Sequence, residues 1–322
     1  MNPLLILLVI VTVLYTSFYQ PGYWKYFLGL LIPYYVLTQI FFGDYELNTS
    51  KKKFYMSVWS HPFDSQIYCS SSIDMTNLLK FIKNYNLTSK IKIGPTVFIL
   101  KLVSNLVVKY PKINGHIIFG KFIKKNCIDV SVQVAGDDLR TSEIITIKNG
   151  EALSLEEIGQ IIQKKKEQFK NGTDVNVGRK MFFMYILPTF LLSPFLRILS
   201  NLSVVGLNLS WMGIPKYHTG SAVICNYGKF GLEDTFLPIS PFSNSPFCIG
   251  ISKIKEYVPK NESEEEASRS EKRYKCKFCF TIDHRFLDGS FASKLLDDIK
   301  ATIENPEIVF DREFFKEIKK TI

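Results

Sequence analysis

A chain of 322 residues, 46% of them hydrophobic and 22% charged, is long enough to bury a large core and is not an intrinsically disordered protein. Its formal net charge of +10 would suit nucleic acid, a membrane surface or a phosphate-bearing ligand. The lysines are scattered, however, and their only runs are residues 51–53 and 164–166, the second on the polar side of a predicted helix. Since no nucleic-acid motif accompanies them, we predict no nucleic-acid partner.

The six cysteines are too few for a disulfide framework in a chain of this length. Cys276 and Cys279 have C-x-x-C spacing, but they lie in an alternating strand, where residues three apart point to opposite faces. No second Cys or His pair stands at zinc spacing, so we predict no metal site.

Residues 1–45 are predicted to form a membrane anchor. Segments 4–19 and 23–42 are almost wholly apolar, each about the length that crosses a ~30 Å hydrocarbon layer, and Gln20-Pro21-Gly22 between them is a turn signal. This pattern predicts a helical hairpin in the membrane. A cleavable signal peptide, which the absence of Lys or Arg before the apolar run disfavours, and a buried core hairpin are the alternatives.

The sequence after the anchor indicates which side of the membrane the rest of the chain occupies. Lys51-Lys52-Lys53 follows the second apolar segment directly, and by the positive-inside rule it places the domain on the cytosolic side of a membrane such as that of the endoplasmic reticulum. Asn48, Asn86 and Asn208 begin N-x-[ST] triplets, which would suit a luminal glycoprotein instead. Such triplets arise by chance in an Asn-rich sequence, so we predict the cytosolic side.

Residues 54–322 are predicted to form one globular domain. It begins with a candidate strand over residues 63–69 and a helix over residues 75–85, for which Asp74 is the predicted N-cap. A second helix opens at Gly94-Pro95-Thr96 and stops at Pro111.

The middle of the domain is predicted to continue with two strands and a helix. Residues 113–119 and 128–134 alternate with period two, and residues 120–126 are predicted as the turn between them. The segment 154–157 has capping-box form and predicts a third helix.

Residues 181–199 form an apolar insertion within the domain. Pro188, Pro194 and Arg197 make this stretch a poor membrane span. We expect it to pack on the domain or to lie along the bilayer surface near the anchor.

The C-terminal third is predicted to hold strands over residues 220–225, 247–254 and 274–282 and a final helix over residues 290–304. Strands and helices are thus interspersed along the chain. That order predicts an α/β domain (α+β, two-layer) with a mixed sheet and helices packed against it.

The segment Asp283-His284-Arg285-Phe286-Leu287-Asp288-Gly289 joins the last predicted strand to the last predicted helix. A histidine at a strand end, followed by a carboxylate four residues on and a turn glycine, is a common way to present a base. Imidazole titrates near neutrality and suits that role.

This segment and two upstream regions, taken in order, resemble the catalytic domain of the dihydrolipoamide acyltransferases of 2-oxoacid dehydrogenase complexes. The resemblance covers about residues 93–306, and the upstream regions are residues 96–134 and 222–251. It implies a chloramphenicol-acetyltransferase-like fold. Stand-alone acyltransferase-domain proteins are more similar still, since no lipoyl-lysine hairpin or Pro/Ala-rich linker precedes the domain, so we expect no lipoyl group on this chain.

The resemblance implies a CoA-dependent acyltransferase that moves an acyl group from a thioester to a hydroxyl, thiol or amine. His284 matches the family's general base, and Asp288 matches a carboxylate that holds the site's architecture by pairing with an arginine. Cys225 stands where the family typically has a serine whose hydroxyl donates to the oxyanion. Because a thiol is a poorer donor, either Asn226 or a backbone N–H substitutes, or the enzyme is slow or inactive. The alternative for Cys225 is a buried strand cysteine without a role.

The resemblance also implies a homotrimer, with the histidine from one subunit and the oxyanion donor from its neighbour. Coenzyme A or acyl-CoA is the expected substrate, and the anchor suggests a small-molecule or lipid acceptor at the membrane. The rival hypothesis is a catalytically weak or inactive scaffold or binding protein with this fold at a membrane, and Cys225 is the residue that favours it.

Overall fold

The computed structural model describes residues 29, 65–118, 121–135, 142–170, 187–205, 207–209, 211, 219–240, 245–258 and 272–307. The chain divides into two compact units, residues 1–56 and 57–322, and the fold described below belongs to the second. The predicted membrane hairpin lies outside the described residues apart from Gly29. In the part of the chain that the structure describes, no helix is both long enough and apolar enough to cross a membrane.

The described part of the second unit contains five α-helices and nine β-strands. In chain order they are β1 (Gln66–Asp74), α1 (Thr76–Thr88), α2 (Pro95–Lys109), β2 (Gly115–Ile118), β3 (Lys121–Lys124), β4 (Val130–Ala135), β5 (Ser142–Ile147), α3 (Leu155–Lys170), α4 (Thr189–Val205), β6 (Ala222–Asn226), β7 (Phe247–Ile251), β8 (Lys255–Tyr257), β9 (Arg273–Asp283) and α5 (Gly289–Glu304).

Seven of the strands form one mixed sheet in the order β1-β9-β7-β6-β4-β5, with β8 paired to β9. The central strands β4, β6 and β7 are parallel, and the remaining pairs are antiparallel. Helix α2 packs on β4 and β6, and α5 packs on β1, so one layer of helices covers the sheet. The predicted mixed sheet with packed helices is confirmed.

The burial of the central elements follows from their sequences. All residues of β7 and four of the five residues of β6 are buried, as is typical of parallel strands that read as continuous apolar runs. Helix α2 starts at Pro95, where the missing N–H has no intrahelical partner to lose, and it is buried over most of its length. This packing of α2 holds its first turn against the ends of β4 and β6.

The predicted capping box of α3 is confirmed, whereas the predicted N-cap of α1 is one residue early. Asp74 Oδ1 accepts from Thr76 N at 2.8 Å, although the N-cap position itself belongs to Met75. At α3 the Ser154 hydroxyl accepts from Glu157 N at 3.2 Å, and the Glu157 carboxylate accepts from Ser154 N at 2.7 Å. This is the reciprocal pattern of a capping box.

Some predicted boundaries are wrong. Residues 121–124, predicted as a turn, form β3, which pairs with β2 in a separate hairpin. Strand β1 runs to Asp74, beyond the predicted end at residue 69, because the polar residues 70–72 continue its pairing with β9. An edge strand with one solvated face tolerates such polar residues, which obscures its pattern in the sequence.

The predicted apolar insertion contains α4, in which Pro194 is accommodated inside the helix. Residues 181–186 lie outside the described part of the chain. The helix buries Leu192 and Leu196 and exposes Phe190 and Ile198. One face therefore packs on the protein, as expected.

Candidate active site

The predicted site residues lie at opposite ends of the sheet. Cys225 of β6 is in register with Gly250 of β7, which is in register with Cys279 of β9. His284 follows Cys279 by five residues, so it lies roughly 17 Å further along the strand direction at about 3.3 Å per residue. A single chain therefore does not bring His284 together with Cys225 and Asn226. We call these regions the His284 end and the Cys225 end.

At the His284 end, hydrogen bonds fix the backbone while the imidazole remains exposed. His284 N donates to Ser65 O at 2.7 Å. Asp283, the last residue of β9, is buried and accepts from Arg285 N at 3.0 Å and from Arg285 Nε at 2.9 Å. A second guanidinium nitrogen, Arg285 Nη2, contacts the other carboxylate oxygen at 2.5 Å. The turn that carries His284 is thus held from both sides.

The predicted pairing of Asp288 with an arginine stays a prediction. Within one chain its carboxylate accepts from Phe291 N at 2.8 Å and from the Ser290 hydroxyl at 2.8 Å, so it caps α5. Arg285 pairs with Asp283, and Asp288 sits in extended conformation at the N-cap, where its side chain meets the N–H groups of the first helical turn. Those hydrogen bonds, from Phe291 first and Ser290 second, lower the pKa of Asp288, and the nearby His284 adds to the effect.

At the Cys225 end, the thiol is buried and already has an acceptor. Cys225 is 1% exposed, and its Sγ donates to Gln133 Oε1 of β4 at 2.6 Å. Burial, and secondly the proximity of Cys248, raises the pKa of the Cys225 thiol. The group is therefore a protonated thiol and not a thiolate nucleophile.

The two residues after Cys225 have separate surroundings. Asn226 Nδ2 donates to Thr96 Oγ1 at 2.9 Å and so ties the end of β6 to the first turn of α2. Tyr227 is half-buried and packs against a small apolar cluster that includes Cys225 and Cys248. Burial raises the pKa of the Tyr227 phenol, with Cys225 as the second cause.

The turn that follows β6 depends on glycine at two positions. A Cβ on Gly228 would stand 2.6 Å from Ser252 O, and Gly231 has φ of 78°, a left-handed conformation. The turn therefore holds Tyr227 close to the end of β7.

A cavity of about 590 Å³ opens at the Cys225 end, where β4 and β6 finish and α2 begins. The carboxyl ends of parallel strands and a helix N-terminus are frequent places for ligands, the latter for anions. Besides apolar groups, the cavity is lined by the polar residues Thr96, Gln133, Gln163, Cys225, Asn226 and Tyr227 and by the lysines Lys92, Lys166 and Lys229.

Sequence reasoning identified Cys225 and Asn226 but missed the residues around them. Gln133 and Thr96 come from segments 92 and 130 residues away along the chain from their partners. Tyr227 was within reach of the sequence, since residues two apart at a strand end face the same side.

The six cysteines are all free. Among the residues that the structure describes, no three His, Cys, Asp or Glu side chains are grouped so that they could hold a metal ion.

The family model for the catalytic domain of the 2-oxoacid dehydrogenase acyltransferases matches residues 59–174 and 213–310, which include both ends of the sheet. The chain belongs to this family. A search of curated proteins finds no match.

Solved structures with a similar fold come from the same group of enzymes. A probable dihydrolipoamide acetyltransferase from Listeria monocytogenes has 19% identity and a TM-score of 0.55, over 79% of this chain and 89% of that one. The dihydrolipoamide acetyltransferase of Azotobacter vinelandii has 16% identity and a TM-score of 0.57, over 81% and 88%. The cubic core of a pyruvate dehydrogenase multienzyme complex has 15% identity and a TM-score of 0.56, over 81% and 88%. These likenesses confirm the predicted acyltransferase fold.

Proposed function

We propose that this protein is a CoA-dependent acyltransferase whose active site forms between copies of the chain, His284 of one copy facing the Cys225 end of the next. The observation that carries the proposal is the division of the site. His284 is exposed on a fixed turn, and the Cys225 cavity, roughly 17 Å away along the strands, is lined by no histidine among the residues that the structure describes.

The assembly we propose is a homotrimer. The family resemblance implies this arrangement, and a similar fold builds the cubic core of a pyruvate dehydrogenase multienzyme complex. In a closed ring, each interface joins the His284 end of one subunit to the Cys225 end of its neighbour, so every subunit completes one site.

We assign the base role to His284 from the chemistry of acyl transfer. The acceptor must lose a proton as it attacks the thioester carbonyl, and an imidazole within hydrogen-bond reach can take it. In the Azotobacter vinelandii enzyme, a serine, a histidine and an asparagine four residues after that histidine have been investigated for their role in the mechanism. His284 and Asp288 have the same spacing, and Cys225 takes the position that the family gives to serine.

The cavity at the Cys225 end suits the anionic substrate. Lys92, Lys166 and Lys229 line it, and so does the first turn of α2 at Pro95 and Thr96. Cations together with a helix N-terminus favour phosphate groups, such as those of acyl-CoA. We therefore propose that acyl-CoA enters at this end.

A membrane location is proposed from the apolar segments 4–19 and 23–42, with the domain on the cytosolic side. The exposed apolar side chains of α4, among them Phe190 and Ile198, and the neighbouring Trp211, which is 71% exposed, would suit contact with a lipid surface. The acceptor would then be a lipid or a small molecule at that surface.

The test uses the full-length chain with acetyl-, butyryl- and palmitoyl-CoA and with a hydroxyl, thiol or amine acceptor, and it measures free CoA by chromatography. Wild type should release CoA in an acceptor-dependent reaction. His284→Ala should lower kcat by about 10²–10⁴-fold. Added imidazole should restore part of the rate, and an unchanged melting temperature should show that the variant is folded. CoA release that does not respond to His284→Ala would remove His284 as the base.

A second candidate function rests on Cys225. Its S–H is buried and donates to Gln133, as expected of a site that has lost the serine hydroxyl typical of the family. In that case the protein is a scaffold that binds CoA without turnover. Wild type would bind CoA yet release none from acyl-CoA, and Cys225→Ser would gain activity.

A further inference from the structure

The two groups that the sequence offers as oxyanion donors already have partners in the structure. The Cys225 S–H is directed at Gln133 Oε1, and one of the two side-chain N–H groups of Asn226 is directed at Thr96 Oγ1, which orients that amide toward α2. A thioester oxygen that enters this cavity needs a hydrogen-bond donor that can turn toward it. Acyl transfer without such a donor typically loses about 10²–10³-fold in rate.

Tyr227 is placed to supply that hydrogen. Its side chain lines the same cavity as Cys225 and packs against the apolar cluster that contains Cys225. Its backbone is held beyond the end of β6 by a hydrogen bond from Tyr227 N to Ile251 O at 2.9 Å. The ring packs against the apolar cluster around Val223 and Leu237, which limits its rotation.

We propose that the Tyr227 hydroxyl is the oxyanion donor of this enzyme, in the place of the weak Cys225 thiol. The inference rests on the proposed acyl transfer. A phenolic O–H is a stronger hydrogen-bond donor than an S–H and reaches further from the backbone.

The acyl-transfer step in which Tyr227 takes part balances without any further reactant. The acceptor's O, S or N forms a bond to the thioester carbon, its proton passes to His284 of the neighbouring copy, and the carbonyl π electrons move to the oxygen. The Tyr227 hydroxyl donates a hydrogen bond to that oxyanion and keeps its proton. When the C=O bond re-forms, the C–S bond breaks and the CoA thiolate takes the proton from the His284 imidazolium.

The surroundings of Tyr227 fit this use. Because burial raises the pKa of its phenol, the group stays protonated, and therefore a donor, throughout the neutral and mildly alkaline range. A partly buried donor acts in a lower local dielectric, where a hydrogen bond to developing charge is stronger than in water.

The test compares two tyrosine variants of the full-length chain with the acyl-CoA and acceptor pair that wild type turns over fastest. Tyr227→Phe keeps the ring and removes only the hydroxyl, so kcat should fall about 10²–10³-fold while KM and CoA binding stay unchanged. The matched control is Tyr257→Phe, whose hydroxyl donates to Asp74 on β1, away from the cavity. It should leave both constants unchanged.

A rescue experiment separates oxyanion donation from a structural role. In the Tyr227→Phe background, Cys225→Ser puts a hydroxyl back beside the lost one and should recover about tenfold or more in kcat. Cys225→Ala in the same background should recover nothing. If Tyr227→Phe retains kcat within about twofold, or if serine and alanine behave alike, Tyr227 is not the donor. Failure of wild type to release CoA would instead overturn the proposed acyl transfer itself.

Discussion

The two ends of the sheet differ in what they hold and in what they lack. The Cys225 end has a cavity of about 590 Å³ with lysines, a helix N-terminus and a half-buried tyrosine, but its lining includes no histidine or carboxylate that could act as a base. The His284 end has an exposed imidazole on a turn fixed by Asp283 and Arg285. Each end supplies what the other lacks.

The difference shows how one fold can divide a reaction between copies. Strand β9 runs antiparallel to β7, so its carboxyl end meets the amino ends of the parallel strands, opposite the cavity. Topology therefore separates the base from the donor within a chain, and no side-chain rotation can close a gap of roughly 17 Å. The proposed active site therefore requires a neighbouring chain.

The largest expected effect comes from mixing two inactive variants. His284→Ala lacks the base and Tyr227→Phe lacks the proposed donor, yet in mixed oligomers some interfaces combine an intact His284 end with an intact Cys225 end. With equal amounts and random assembly, about a quarter of the sites should be intact by this symmetry argument. Co-expression, purification through one tag that both variants carry, so that every assembly is retained, and measurement of CoA release check the prediction.

The control for this mixture is His284→Ala/Tyr227→Phe together with wild type. When the two chains are mixed in equal amounts, the His284 end and the Cys225 end at each interface come from independently chosen chains. About a quarter of the sites should therefore remain active, as in the first mixture. A site contained in one chain gives a different result: half the wild-type rate in the control and none in the mixture of single variants. The ratio of the two rates decides between the arrangements.

The His284 end also contains a buried charge that the Cys225 end does not match. Lys125 is 2% exposed, its Nζ donates to Thr219 O at 3.2 Å, and it lies near Asp129 at the start of β4. Burial lowers the pKa of Lys125 to about 8 from 10.5, and Asp129 partly opposes the shift. Stability should therefore depend on pH through this one side chain.

The sign of that dependence follows from proton counting. Between pH about 8 and 10.5 the unfolded chain keeps the Lys125 proton that the folded chain has released. The free energy of unfolding should therefore rise with pH in this window, by about 3 kcal/mol in total, relative to Lys125→Met. Urea unfolding at several pH values measures it, and the exposed Lys148→Met is the control that should follow wild type. A difference that falls with pH would contradict the assigned burial.

The sequence predicted the elements that carry each end better than it predicted the contacts inside them. The alternation of β9, the Pro95 start of α2 and the glycine turn before α5 are local signals, and each is present in the structure. The short strands β3 and β5 lack strong periodicity and were missed. Cavity residues such as Gln133 and Thr96 meet Cys225 and Asn226 only through sheet order and helix packing, which local patterns do not encode.

The two carboxylates around His284 also show that a local sequence pattern does not determine side-chain contacts. Asp283 and Asp288 both stand within five residues of Arg285, and the sequence alone does not say which one pairs with it. The backbone decides, because Asp283 ends a strand beside the guanidinium and Asp288 begins a helix. The backbone conformation therefore assigns ion pairing with Arg285 to Asp283 and helix capping to Asp288.

The smallest expected effect concerns Asp288. Asparagine caps a helix N-terminus about as well as aspartate does, whereas alanine does not. Asp288→Asn should therefore leave the melting temperature close to wild type, and Asp288→Ala should lower it by a few degrees in thermal unfolding. Since the carboxylate contacts Phe291 N and Ser290 and not the reacting atoms, Asp288→Asn should also change kcat by less than about threefold. A large loss of kcat at an unchanged melting temperature would show that the negative charge itself acts on His284.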